Sequence, residues 1–189
     1  MARHTIFTNS ILVDNLDNSN LKDEILKELK IHEDLKKGRQ FSNFGGFQTL
    51  DIKNKFICKT VGQKCVEMLF ESYDFKIDKI IMCNLWINKN NKNDFNLPHV
   101  HPSCQFSGAY YLETPQKGGE LSFMRNECSV FSELESFIPN NLDFNEKFYI
   151  KPKNNLFIVF PAYLKHMVMP HKEDKTRISV SFNIKLKNG

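Results

Sequence analysis

The chain of 189 residues has one tryptophan, Trp86, and five cysteines (Cys58, Cys65, Cys83, Cys104 and Cys128) with no Cys-x-x-Cys spacing among them. An odd, unpaired set of this kind argues against a disulfide framework and against a zinc knuckle, and fits a reducing compartment. Basic residues exceed acidic ones by only four, 26 against 22, and no stretch gathers them densely. That pattern suits a solvated surface better than a nucleic-acid patch. No apolar run approaches the length of a membrane span. Met1 to Ser10 lacks the apolar segment of a secretory leader, so a cytoplasmic setting is the expectation. Internal repeats and low-complexity linkers are absent as well.

What is present suffices for a real core: 41% of the residues are hydrophobic and 17 are phenylalanine. The length suggests a single domain spanning 1–189. Thr5 to Val13 alternates enough to predict a first strand. Ser19-Asn20 reads as a helix cap with Asp23 reaching back, followed by an apolar stripe of Leu21, Ile25, Leu29 and Leu35 that runs to Lys37 and stops at Gly38. A second helix is expected over Phe56 to Ser72, with Val61, Cys65, Met68 and Leu69 on one side. From Ile80 the pattern shortens into β runs: Ile80–Asn88, Val100 and its neighbours, Ser107–Leu112, Glu120–Phe123, Lys147–Lys151, Leu156–Phe160, His166–Met169 and Arg177–Ile184. Many short strands broken by Gly118-Gly119, Pro152, Pro161 and Pro170 predict a mainly β fold, a sandwich or barrel flanked by the two helices. The polar stretch Arg125 to Glu146 reads as a long loop of the kind that serves as a lid.

His99-Val100-His101 carries the chemistry. Residues i and i+2 of a strand point to one side, so two imidazoles can face one ion. His166 sits in a distant run that also reads as strand, and three neutral imidazoles at one point suit Fe, Zn or Cu. Arg177 follows His166 by eleven residues, close enough to hold a carboxylate beside such an ion. His4, His32 and His171 read as ordinary surface or core residues, and Cys104 as a small buried filler. In the last strand, Arg177, Ser179, Ser181 and Asn183 share one face while Ile178, Val180, Phe182 and Ile184 share the other. Inside a barrel the first face would line a polar cavity. Trp86 is placed equally well on the cavity side or in the core.

The order His99-Val100-His101-Pro102, Ser107-Gly108 with Tyr110-Tyr111-Leu112, Gly118-Gly119-Glu120-Leu121-Ser122-Phe123, Phe160-Pro161, His166 and Arg177 resembles the Fe(II)- and 2-oxoglutarate-dependent dioxygenases. The likeness is to their prolyl-hydroxylase-like branch, and within it to small 2-oxoglutarate/Fe(II) oxygenases that share the His-x-His motif. It covers about residues 80 to 184. It implies a double-stranded β-helix, or cupin-like jelly roll, over 80–185, with the strand and helices of 1–79 packed on one sheet. It implies Fe(II) held by His99, His101 and His166, and 2-oxoglutarate whose far carboxylate pairs with Arg177, helped by Ser179 and by an inward-facing Tyr111. O2 and a substrate the sequence does not identify complete the reaction, which yields succinate and CO2.

Most of that superfamily carries a carboxylate where this chain has His101. Two histidines and one carboxylate leave Fe(II) with a net charge of +1; three histidines leave +2. Asp94 and Glu120 are the nearest carboxylates to consider, and both read better as solvated turn residues. A three-His site also suits a cupin-type dioxygenase that uses no 2-oxoglutarate, in which Arg177 grips the substrate. A non-catalytic jelly-roll module tied by structural zinc is the third reading. It needs a fourth ligand that the sequence does not offer.

Overall fold

A computed structural model describes residues 2, 8–74, 79–125 and 145–187. The long loop expected at Arg125 to Glu146 falls almost wholly outside them, as does most of the first half of the strand expected at Thr5 to Val13.

Both helices begin at asparagine caps. Asn18 precedes α1 (Ser19–Asp34) and its side chain accepts from the Leu21 amide at 2.9 Å. Asn54 precedes α2 (Lys55–Ser72) and accepts from the amides of Phe56 and Ile57. Each cap satisfies backbone donors that the first helical turn leaves without partners. The cap of α1 thus lies one residue before the expected Ser19. The helix stops at Asp34, and Leu35, expected in the buried stripe, is the exposed C-cap residue. Leu21, Ile25 and Leu29 of α1 and Ile57, Val61, Cys65, Met68 and Leu69 of α2 are buried, as their spacing predicts.

Twelve strands are described: β1 (Leu12–Asn15), β2 (Gly38–Arg39), β3 (Asn43–Phe44), β4 (Phe47–Thr49), β5 (Lys79–Asn90), β6 (Phe95–His99), β7 (Phe106–Glu113), β8 (Leu121–Met124), β9 (Lys147–Ile150), β10 (Leu156–Pro161), β11 (Lys165–Val168) and β12 (Arg177–Lys187). They form two antiparallel sheets. The larger has the order β1-β10-β7-β12-β5-β4-β2, the smaller β3-β6-β11-β8-β9. From β5 to β12 the chain passes back and forth between the sheets as a jelly roll does, with β8 and β9 paired within the smaller one. The first strand is shorter and later than expected. Leu12–Asn15 adds to an edge against Leu156–Val159, and its exposed Val13 and Asp14 blur the alternation.

Side-chain alternation divides the core in two. Tyr110, Phe157, Val159, Val180 and Phe182 point from the larger sheet toward the helices and join their buried residues in one cluster. Tyr111, Ile158 and Phe160 point the other way and meet Leu121, Phe123 and Leu164 between the sheets. Burying a side chain of this size contributes roughly 1.5–3 kcal/mol each. Because apolar residues close one end of this inter-sheet space, the polar face of β12 is free to line a cavity at the other.

Candidate active site

The smaller sheet sets the histidines. His99 ends β6 and lies directly across from His166 of β11. His101 was expected on the same strand as His99, but β6 ends at His99 and His101 sits in the turn that follows. Pro98 and Pro102 flank this stretch and cannot donate to a ladder, and the His101 amide instead donates to the Ala162 carbonyl at 3.0 Å. The turn nevertheless delivers the ring. Ligand-type atoms of His99, His101 and His166 all lie within 4.8 Å of one another, and no Asp, Glu or Cys joins them among the described residues. Nε2 of His101 and Nε2 of His166 are 3.2 Å apart.

Two of the rings are oriented from behind. Nδ1–H of His99 donates to the Leu97 carbonyl at 2.6 Å and Nδ1–H of His166 donates to the Leu164 carbonyl at 2.8 Å. Those bonds fix the tautomer and turn each Nε2 lone pair toward the shared point, which is how metal-binding imidazoles are held. Burial also keeps them neutral. It pushes His166 down to about 3, aided by the nearby His99 and His101. His101 is pushed down to about 4 by burial and by His99, and His99 is lowered by burial. Three neutral nitrogens converging on one point fit a first-row divalent metal such as Fe(II).

Arg177, at the start of β12, is 2% exposed. Its Nη2 donates to Oδ1 of Asn90 at 2.8 Å, the residue opposite it on β5, and its Nη1 donates to the Gly119 carbonyl at 3.3 Å. Gly119 offers that carbonyl from a left-handed turn (φ +75°) that disfavours a side chain. Nε of Arg177 is buried without a hydrogen-bond partner, and among the described residues no carboxylate pairs with the guanidinium. A buried cation left this way is costly unless an anion arrives, and a planar fork suits a carboxylate. The charge of Arg177 partly offsets the upward push of burial on the Tyr111 hydroxyl.

All of these groups meet in one cavity of about 500 Å³. His99, His101 and His166 line it together with Arg177, Ser179 and Tyr111, so the six expected residues are brought to one place. Trp86 lines it too, its ring centroid 5.9 Å from that of His101. The competitors lie elsewhere. His171 holds the Lys175 carbonyl at 2.9 Å, Cys104 faces the His101 carbonyl and Ser107, and Asp94 binds the Asn91 amide in the β5–β6 turn. Three contributors escaped the sequence reading. Asn90 is detectable only once it is known to pair with Arg177. Arg39 and Gln48 come from strands of two and three residues whose pattern carries no signal.

A jelly roll with a histidine cluster and a buried, unpaired arginine in the same cavity defines a metal-dependent oxygenase that works with an acidic co-substrate. Residues 84–183 match the family described as "Putative 2OG-Fe(II) oxygenase", and the chain belongs to that family. It is an oxidoreductase whose cofactors are Fe(II) and 2-oxoglutarate, and the family implies O2 and a further substrate.

The fold is similar to that of the viral collagen prolyl hydroxylase from Paramecium Bursaria Chlorella virus-1 in its 2-oxoglutarate complex, at 18% identity and TM-score 0.59, over 92% of this chain and 95% of that one. It is also similar to a Pseudomonas putida prolyl-4-hydroxylase (12%, 0.59, over 96% and 95%). A third likeness is to HygX from Streptomyces hygroscopicus with nickel, 2-oxoglutarate and hygromycin B bound (9%, 0.61, over 94% and 83%). At such identities these likenesses speak for the fold. Comparison with curated proteins gives no match. Among the described residues no helix is long and apolar enough to cross a membrane.

Proposed function

We infer that the protein hydroxylates a substrate in a reaction coupled to decarboxylation of 2-oxoglutarate, with His99, His101 and His166 holding the iron. The observation that carries this reading is the shared cavity. Three neutral imidazoles stand at one point in it, and a buried arginine without an acid partner stands deeper within it. When bound, Fe(II) supplies O2 activation coupled to conversion of 2-oxoglutarate to succinate and CO2.

The chain's own residues do the rest. Arg177 takes the far carboxylate of 2-oxoglutarate, with Nε and the outward edge of the guanidinium as donors, while Asn90 and Gly119 keep the fork from turning. The hydroxyls of Ser179 and Tyr111 line the same end without a hydrogen bond to any described residue, so both are free to donate to that carboxylate. Leu121, Phe160 and Val168 add apolar wall to the same cavity, and a less polar lining strengthens the charge contacts made inside it. The Leu97 and Leu164 carbonyls keep protons on Nδ1 of His99 and His166, so that Nε2 stays available to the metal.

Among the described residues no carboxylate joins the histidine cluster, which favours one competing reading, a three-His dioxygenase that dispenses with 2-oxoglutarate. Succinate release separates the two. Purified protein given Fe(II), ascorbate, O2 and 2-oxoglutarate is expected to form succinate, and His166→Ala to abolish both metal binding and succinate. Full turnover by His166→Ala would overturn the assignment. Metal binding by the wild type without succinate or 2-oxoglutarate binding would favour the competitor.

A further inference from the structure

The cavity holds two arginines with opposite electrostatic situations. Arg177, at one end, has no acid partner among the described residues. Arg39, near the other, is neutralised: its Nη2 lies 3.0 Å from Oδ1 of Asp51. Asp51 is fixed in turn by the Asn84 amide at 3.2 Å, and Asn84 by Asn183, across from it on β12. With the Gln48 carboxamide turned to satisfy its neighbours, its oxygen accepts from Nε of Arg39 at 3.2 Å and from Nε1 of Trp86 at 3.3 Å. The guanidinium carbon lies 5.4 Å from the Trp86 ring centroid and 5.1 Å from that of Phe41. Arg39 is thereby immobilised as one layer of an aromatic stack. Its Nη1 has no hydrogen-bond partner among the described residues. Trp86 places this stack beside His101, and Phe41, 73% exposed, stands at the rim.

We propose that Arg39, Trp86 and Phe41 form a second binding subsite that takes an uncharged, carbonyl-bearing group of the substrate and turns carboxylates away. The proposal rests on the hydroxylase reading, since it assigns the part of the cavity not claimed by 2-oxoglutarate. The logic is one of charge balance. A fixed guanidinium whose charge Asp51 already offsets keeps N–H donors for a neutral carbonyl oxygen, and the indole face packs on the flat group that bears it. A carboxylate entering there would compete with Asp51 for the same cation and meet its negative charge. One cavity thus sorts its two occupants by charge, the dianionic co-substrate to Arg177 and the neutral group to Arg39. The residues that do this lie partly at 39–51, outside the segment that matches the family.

Trp86 is the only tryptophan, so its emission reports this subsite without turnover. The protein is loaded with Zn(II) and saturated with 2-oxoglutarate, then titrated with N-acetylglycinamide or with N-acetylglycinate, which differ in charge at one group. A saturable change is expected for the amide, with a dissociation constant at least tenfold below that of the carboxylate. Arg39→Ala should remove the amide response, and Asp51→Asn should shrink or invert the preference by freeing the Arg39 charge. Phe41→Ala, at an exposed position that folding tolerates, should weaken amide binding several-fold. Equal or tighter binding of the carboxylate overturns the proposal. So does the absence of a saturable response to either probe, or an amide response that persists in Arg39→Ala and Phe41→Ala. Failure of the hydroxylase reading itself would show separately, as no 2-oxoglutarate binding and no succinate from the wild type.

Discussion

Acidification of the metal-free protein tests the electrostatics of the histidine cluster directly. An unfolded imidazole takes a proton as pH falls through about 6.5. In the folded protein His166 waits until about 3 and His101 until about 4, because burial and mutual repulsion disfavour their charged forms. Between those values the unfolded chain binds more protons than the folded one, so stability falls as pH falls through 6.5 and continues falling toward 3 to 4. For His166, which is 4% exposed, the loss between pH 7 and pH 5 is about 2 kcal/mol. His101 adds to it in the same direction. Urea titrations of apo-protein at several pH values between 5 and 7.5 read this slope, and His166→Asn should flatten it by close to one proton. Saturating Zn(II) should raise stability at pH 7 by about 2.7 kcal/mol at a hundredfold excess over its dissociation constant, and by less at pH 5, where protons compete. An apo-protein whose urea midpoint is the same at pH 5 and pH 7, or a slope that survives His166→Asn, would refute the claim that these imidazoles are buried and neutral.

Replacing Arg177 with Met should weaken 2-oxoglutarate binding to metal-loaded protein by about thirtyfold to a few thousandfold, the usual 2–5 kcal/mol for truncating one side of a buried charge pair. Anaerobic titration calorimetry decides it, and a change under threefold would remove Arg177 from the co-substrate site. Gly108→Ala should destabilise the fold by about 1–3 kcal/mol, because a Cβ there would run into the Phe182 ring and the Ile158 carbonyl. A thermal midpoint within a degree of wild type would contradict that packing.

How much of this was legible in sequence depended on burial. Strands β5, β7, β10 and β12 declare themselves because their apolar faces must cover the helices, and the polar face of β12 was correctly turned inward. The three histidines, Arg177, Ser179 and Tyr111 were expected together from their residue types and motif order, and the structure brings them to one cavity. The His101 backbone was misjudged because alternation presumes a continuing strand, whereas β6 stops at His99, short of Pro102, and leaves the ring to be delivered by a turn. Strands β2, β3 and β4 were missed because two or three residues cannot show a period of two; pairing of β4 with β5, β3 with β6 and β2 with β4 creates them. Leu35 was assigned to the stripe because helical spacing says nothing about where a helix stops. Asn90 acts through Arg177, far along the chain, and Arg39 sits in a two-residue strand, so no periodicity marks either.

Strand β12 carries Arg177 and lies between β5 and β7, forming the ladder that joins the two halves of the larger sheet. Among the described strands it comes last in chain order, after both of its neighbours. Until it is made, β7 and β5 each present an unpaired backbone edge to the gap. Because β12 pairs on both sides, the larger sheet can close only once residues 177–187 have been made. The nascent chain therefore acquires Arg177 and the closure of its larger sheet in the same event. A product truncated before β12 would lack both the central ladder of the larger sheet and Arg177, which would make it a substrate for proteases rather than a half-active oxidant.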